Sequence, residues 1–487
     1  MASVQLYRGS EMAELISQIE ALIVRHWEVL YSLLIVVGLV IYAAASHSLH
    51  QRRHPAAAIA WVLGIVLLPY IALPLYLAFG SRKVVPKHAA RGVRRVAALA
   101  PTPPSTAARA RQLGMAMGLP DPVAYEGLSI HEDGTQALNA LRCMIDGAKR
   151  TLEISTFVFG RDVLGDEIAE RLKQAARAGI KVRLLIDGIG IYLGGYPDLK
   201  GFAQAGVDVV RFVPPFRSPK RGRTNLRNHR KMVIADGMHL WCGGRNLAAE
   251  YFEGDPRPIL GRKPWVDLSF DLHGELARQA QSQFEQDWAF ATERPAPEVA
   301  VSATPSPVSG AMAQLVASGP DQPDDTIFTL LVSACFTSQW RILAVTPYFV
   351  PDNALLTALS LAARRGVDVN LVLPARSNHR LADFVRHRQL RDLVAAGGKV
   401  WLFPRMIHAK LVLIDEELAL AGSANLDGRS LFLNYEMMVA FYDHKAVHDF
   451  SQWIEVRRLE SVPYVARRPG VVRELAEGML LWLGFQL

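Results

Sequence analysis

The chain has 487 residues, half of them hydrophobic, with a formal charge of +8 and a pI of about 9.4. That length allows about three domains, and a mean hydropathy of +0.13 argues against a wholly soluble protein. The basic balance suits anionic lipid, a phosphorylated substrate or nucleic acid without choosing among them. Cys143, Cys242 and Cys335 exclude a disulfide framework and read as buried free thiols in a reducing compartment.

Residues 1–28 form an N-terminal tail whose Glu11, Glu14, Glu20 and Glu28 argue against a cleaved signal sequence, which needs a compact basic start. Two charge-free apolar runs follow, around 29–45 and 55–79, and predict two transmembrane helices within 29–80. Pro69 and Pro74 should kink the second. Arg82, Lys83, Lys87, Arg91, Arg94 and Arg95 come next, with no acid among them. The positive-inside tendency then places everything after residue 80 in the cytoplasm, with the N-terminus on the same side. Residues 81–119 read as a basic juxtamembrane linker lying against anionic headgroups.

Two stretches of similar size follow, 120–291 and 311–470, joined by a proline-rich linker at 292–310. They resemble each other. Ala176-Arg177-Ala178-Gly179 leads into IKVRLLID, and Ala363-Arg364-Arg365-Gly366 leads into VDVNLVLPA. Gly206 followed by VDVVRF is matched by Gly398 followed by KVWLF, and LEISTFVF by ILAVTPYF. Each is a helix, a glycine stop and a β-branched run. The fold class is therefore α/β: two duplicated lobes, each a mixed sheet flanked by helices. Residues 471–487 form a C-terminal amphipathic segment, suited to lying on a bilayer or docking on the second lobe.

Near the end of each lobe one pattern recurs. His229, Lys231 and Asp236 have the same spacing as His408, Lys410 and Asp415, and Asn246 and Asn425 each fall 17 residues after their histidine. Composition alone would give about 0.03 such matches per chain. On a strand, His and Lys two apart share a face. Face to face, the lobes would present two His, two Lys and two Asn to one phosphodiester. Cations and amides can neutralise phosphorane oxygens without a metal. One neutral imidazole can attack phosphorus while the other, protonated, donates to the leaving oxygen. The basic loop 217–230 leads into the first copy and reads as a headgroup contact or a solvated loop.

This doubled motif resembles the phospholipase D superfamily over both lobes. The apolar N-terminus ending in YLAFG, the segment GSANLDGRS and Asn434-Tyr435-Glu436 are similar to the bacterial cardiolipin synthases within it. The resemblance implies phosphatidyl transfer between two phosphatidylglycerol molecules, giving cardiolipin and glycerol through a phosphatidyl-histidine. Hydrolysis of phospholipid to phosphatidic acid is the alternative. It implies His229 as nucleophile and His408 as acid, then base, with Lys231, Lys410, Asn246, Asn425 and Ser423 binding phosphate. Gly244 stands where the second copy has Ser423. Glu436 would orient a histidine and Asp267 would do the same in the first lobe. Asp236 and Asp415 would support the pocket wall. No metal or other cofactor and no nucleic acid is implied. The partners are phosphatidylglycerol, other anionic phospholipids and a bacterial inner membrane spanned more than once, with the lobes facing the cytoplasm; oligomeric state is not readable.

Overall fold

The structure, a computed structural model, describes residues 26–43, 55–80, 105–214, 225–253, 264–297 and 310–484. The chain divides into two compact units, one N-terminal and one holding both lobes.

Among the described residues of the N-terminal unit one helix, His26–Ala43, is long and apolar enough to cross a membrane. The second apolar run is not one helix. It is divided into Pro55–Leu67 and Pro69–Phe79, with Leu68 between them in a non-helical conformation. Pro69 cannot donate a main-chain bond, so the ladder breaks there. Tyr31 compensates: its hydroxyl lies 2.9 Å from the Val66 carbonyl oxygen and 3.0 Å from that of Leu67. Trp27 stacks on Tyr70 with centroids 5.0 Å apart, and Tyr42 meets Tyr76 at 5.4 Å. At Gly38 a Cβ would stand 2.7 Å from Ile65 Cγ2, so the absent side chain allows the close approach.

The first lobe contributes strands β1 (Val123–Ile130), β2 (Thr151–Thr156), β3 (Lys181–Asp187), β4 (Asp208–Phe212), β5 (Met232–Ala235), β6 (His239–Gly243) and β7 (Ser269–Gly274). The second contributes β8 (Met312–Ser318), β9 (Arg341–Val345), β10 (Phe349–Val350), β11 (Asp368–Pro374), β12 (Lys399–Phe403), β13 (Leu411–Ile414), β14 (Leu418–Gly422), β15 (Leu426–Asp427), β16 (Glu436–Phe441) and β17 (Val462–Pro463). Fifteen of these form one sheet, in the order β17-β12-β11-β9-β13-β14-β16-β8-β1-β7-β6-β5-β2-β3-β4. Read outward from the middle, β1-β7-β6-β5-β2-β3-β4 is repeated by β8-β16-β14-β13-β9-β11-β12. The duplication seen in the sequence is thus a two-fold relation about the antiparallel β1–β8 pair, where Val123 faces Ala313.

Each lobe has its own core. Leu138, Leu141, Ile168 and Leu172, from helices Gly134–Gly147 and Val163–Arg177, cover the first. Leu330, Leu331, Leu355 and Leu359, from helices Thr326–Thr337 and Asn353–Arg364, cover the second. Helix Glu275–Thr292 packs on β1, β4 and β7 and reaches across to β8. Helix His444–Leu459 packs on β9 and β14 and reaches across to β1. The seam is therefore spanned by one helix from each lobe.

Two expectations change, and the C-terminal segment takes one of its two readings, docked on the second lobe. Part of the proposed linker, Thr106–Ala116, is a helix capped by Ser105, whose side chain accepts from the Ala108 N–H. Its alanines are strong helix formers, and Ala110 lies in the second core. Cys143 is exposed on the outer side of its helix, whereas Cys242 and Cys335 are buried; all three are free. The C-terminal segment includes a helix, Val471–Gly484, whose buried Glu477 pairs with Arg391 of the second lobe. The tail 1–25, residues 81–104, most of the inter-lobe linker and most of the basic loop 217–230 lie outside the described residues.

Candidate active site

β2 and β3 run parallel, while β5 runs antiparallel to β2, with Met232 opposite Ser155. The start of β5 therefore sits at the carboxyl ends of the parallel strands, where α/β sheets commonly place ligands. β13 and β9 repeat this arrangement. His229 and Lys231 occupy extended chain just before β5, and His408 and Lys410 just before β13, not the strands themselves.

The two lobes exchange support here. Glu436, at the start of β16 in the second lobe, accepts from His229 Nδ1 of the first, at 2.9 Å. Asp267, just before β7 in the first lobe, accepts from His408 Nδ1 of the second, at 2.6 Å. Asp267 was expected to serve its own lobe; it serves the other. The main chain crosses in the same way. The His229 N–H donates to the Tyr435 carbonyl (2.9 Å), and the His408 N–H donates to the Val266 carbonyl (2.6 Å). An anionic carboxylate at Nδ1 fixes the tautomer and leaves Nε2 with its lone pair.

Electrostatics follow from burial. Burial, reinforced by Lys231 and Lys410, lowers the His229 pKa against the pull of Glu436. Burial and Lys410 drive that of His408 down to about 3. Both imidazoles therefore rest neutral. Burial brings Lys231 down to about 7 and Lys410 to about 8. Each histidine feels the lysine of the opposite lobe, so the two motifs share one site. Lys231 Nζ donates to the His229 carbonyl at 2.7 Å, and Lys410 Nζ donates to the His408 carbonyl. Phe157 stands edge-on to His229 at 5.2 Å, and Tyr251 to His408 at 5.1 Å.

The other expected residues divide into two groups. Asn246 and Asn425 are buried beside the site. The Asn246 side-chain oxygen accepts from the Val158 N–H at 3.2 Å, while that of Asn425 has no hydrogen-bond partner among the described residues. Ser423 Oγ donates to Glu436, the carboxylate that holds His229. At Gly244 a Cβ would stand 2.1 Å from Asp267 Oδ1, so the glycine there leaves room for that carboxylate.

Asp236 and Asp415 are elsewhere, at the far ends of β5 and β13. Asp236 accepts from the N–H groups of Lys149, Arg150 and Thr151, at 2.9, 2.6 and 3.0 Å. Asp415 accepts from Gln339, Trp340 and Arg341, and from Thr106 Oγ1 at 2.9 Å. Both have positive φ, 54° and 53°. They tie a turn to the start of the neighbouring strand.

Arg230 is a residue that sequence reasoning missed. Fully buried, it pairs with Asp287 and donates to the Glu436 and Ser318 carbonyls of the second lobe, both at 3.0 Å. Its only sequence signal is its place between His229 and Lys231, where the second copy has Ala409. Among the described residues, His239, Asp271 and His273 have metal-ligand spacing, but they sit on β6 and β7, with His239 next to the Asp236 turn.

Two lobes that share a pocket of crossed histidines and lysines define a phospholipase D-like class. In fold, the chain is similar to the crystal structure of phosphatidylserine synthase from Haemophilus influenzae, with a TM-score of 0.60 and 13% identity, covering 78% of this chain and 100% of that one. Residues 141–288 and 332–457 match the family described as "Cardiolipin synthase, PLD-like domain", and residues 38–81 match "Phospholipase_D-nuclease N-terminal". Cardiolipin synthase A of Pseudomonas aeruginosa is 31% identical over 462 residues, 91% of this chain and 93% of that protein. That of Pseudomonas syringae pv. syringae is 32% identical over 431 residues, 85% of this chain and 87% of that protein. The chain belongs to the cardiolipin synthase family of phospholipase D-like enzymes.

Proposed function

We propose that this enzyme transfers a phosphatidyl group between two phosphatidylglycerol molecules, making cardiolipin and releasing glycerol. The observation that carries the reading is the crossed pair His229–Glu436 and His408–Asp267. It offers two imidazoles with oriented Nε2 atoms to one phosphorus.

In this mechanism Nε2 of neutral His229 attacks the donor phosphorus and forms a P–N bond. The P–O bond to the headgroup glycerol breaks, and that oxygen takes a proton from protonated His408. A bound anionic phosphodiester favours the charged forms of His408, Lys231 and Lys410, which burial alone disfavours. In the second half-reaction His408 Nε2 accepts the proton of the incoming lipid hydroxyl. That oxygen attacks phosphorus, the P–N bond breaks and His229 recovers its lone pair. Lys231, Lys410, Asn246 and Asn425 bear on the equatorial oxygens, with Ser423 acting through Glu436. Asp236 and Asp415 hold the frame.

The charge pattern supports a membrane hairpin at 29–80, with the lobes on the cytoplasmic side of the inner membrane. The break at Pro69 is compatible with crossing because Tyr31 satisfies the freed carbonyls.

The test is product analysis. In vesicles of phosphatidylglycerol the enzyme should yield cardiolipin and glycerol in equal amounts. Phosphatidic acid without cardiolipin would make it a hydrolase. His408→Ala should lower the rate by about 10²–10⁴-fold, and His229→Ala, which removes the nucleophile, by at least as much.

A further inference from the structure

The two halves of the site repeat each other in backbone but not in charge. The Tyr435 N–H donates to the Arg227 carbonyl at 2.9 Å, and the Asn434 N–H donates to the Arg429 carbonyl at 3.0 Å. Across the two-fold, the Val266 N–H donates to the Met406 carbonyl at 2.9 Å, and the Trp265 N–H donates to the Glu250 carbonyl at 2.7 Å. These are equivalent positions: Arg227 and Met406 each stand two residues before a motif histidine, and Arg429 and Glu250 each stand four after a motif asparagine. At these equivalent positions one half carries two arginines where the other carries a methionine and a glutamate.

The arginines come from opposite lobes, and their main chains are held close, since their carbonyls accept from the consecutive N–H groups of Tyr435 and Asn434. Burial, and then the Arg227 charge, lowers the Arg429 pKa. Arg227 is buried and anchored, with Nη1 3.3 Å from Asp187 Oδ1 and 3.2 Å from the Val213 carbonyl. The nearby carboxylates are themselves engaged. Asp187 accepts from the N–H groups of Ile189, Gly190 and Asn228, and Asp427 accepts from that of Ser430. Asp187 fixes the Arg227 guanidinium in place. Ser430 Oγ, on the residue after Arg429, and Asn434 Oδ1 are buried without a hydrogen-bond partner among the described residues. A buried unpaired hydroxyl is costly unless a ligand completes it.

We propose that Arg227 and Arg429, with Ser430, form a second phosphate subsite that holds the unreacting phosphodiester of the acceptor lipid. This rests on the phosphatidyltransferase reading above. The acceptor hydroxyl of phosphatidylglycerol is three carbons from its own phosphate. When that hydroxyl attacks the phosphatidyl-histidine, a second anion must approach a phosphorus that is itself gaining negative charge. A paired guanidinium site offsets that repulsion and orients the hydroxyl. A neutral acceptor, water or a simple alcohol, has no phosphate to place there. The same bond changes occur with either acceptor, so the subsite selects the acceptor and not the chemistry.

The full-length enzyme in phosphatidylglycerol vesicles with ethanol in the buffer tests this, because cardiolipin and phosphatidylethanol then form from one phosphatidyl-enzyme. Arg429→Gln should lower the cardiolipin-to-phosphatidylethanol ratio by about tenfold or more, the scale of a lost charge-assisted contact. Arg429→Lys should restore part of it. Because it is a ratio, it does not depend on how much of the variant folds. An unchanged ratio, whether total turnover falls or not, would overturn the subsite; equal loss of both products would mean that the arginine serves the donor phosphate. Phosphatidylethanol without cardiolipin from the unaltered enzyme would instead overturn the reading of phosphatidylglycerol as acceptor.

Discussion

At the residue scale, the site works by holding groups in states that water would not favour. Glu436→Gln and Asp267→Asn keep the shape but remove the anion behind each imidazole. Each should cut kcat by about 10²–10⁴-fold in the vesicle assay, as expected for lost acid-base assistance. The lysines set the alkaline limb. With Lys231 lowered to about 7 and Lys410 to about 8, kcat/KM should fall as pH rises from 7 to 8, where the free enzyme loses its phosphate-binding charges. Lys231→Arg should move that limb upward, because a guanidinium stays charged; a flat profile to pH 9 would contradict it. The same depression costs stability. Lys231 binds its proton less tightly folded than unfolded, so the cost is full below pH 7 and fades as pH rises toward the unfolded value. Lys231→Met should therefore abolish turnover, and its Tm relative to the unaltered enzyme should rise as pH falls from 9 to 6.

At the element scale, Asp236 and Asp415 belong to the framework. Each lets a left-handed residue close a turn while binding the main-chain N–H groups that open the adjacent strand. Asn tolerates positive φ but accepts less strongly. Asp236→Asn should lower stability by about 1–3 kcal/mol, seen in thermal unfolding, with kcat for the surviving enzyme near normal. A large fall in kcat at unchanged Tm would return this residue to the chemistry. In the membrane unit, Tyr31→Phe removes the donor that serves the Val66 and Leu67 carbonyls and should cost about 0.6–2 kcal/mol. Unfolding in bicelles would measure it.

At the scale of the whole molecule, the duplication was legible because both copies carry the same spacing, and the strands flanking it alternate with helices of ordinary pattern. Less visible was the exchange between lobes. Nothing in the order of residues says that Asp267 serves His408, because that depends on how the two halves of the sheet join at β1 and β8. The helix Thr106–Ala116 was hidden by its basic, proline-flanked surroundings, and the division at Leu68 by the uniform hydropathy around Pro69. The contrast of Arg227 and Arg429 with Met406 and Glu250 needed the two-fold to reveal which positions correspond.

The central claim is that two motifs make one site with one nucleophile. It is tested most directly by trapping the His408→Ala enzyme with labelled phosphatidylglycerol and mapping the adduct by mass spectrometry. The account predicts one phosphatidyl group per chain, on His229. Two groups per chain, or one on a residue outside the motifs, would contradict it.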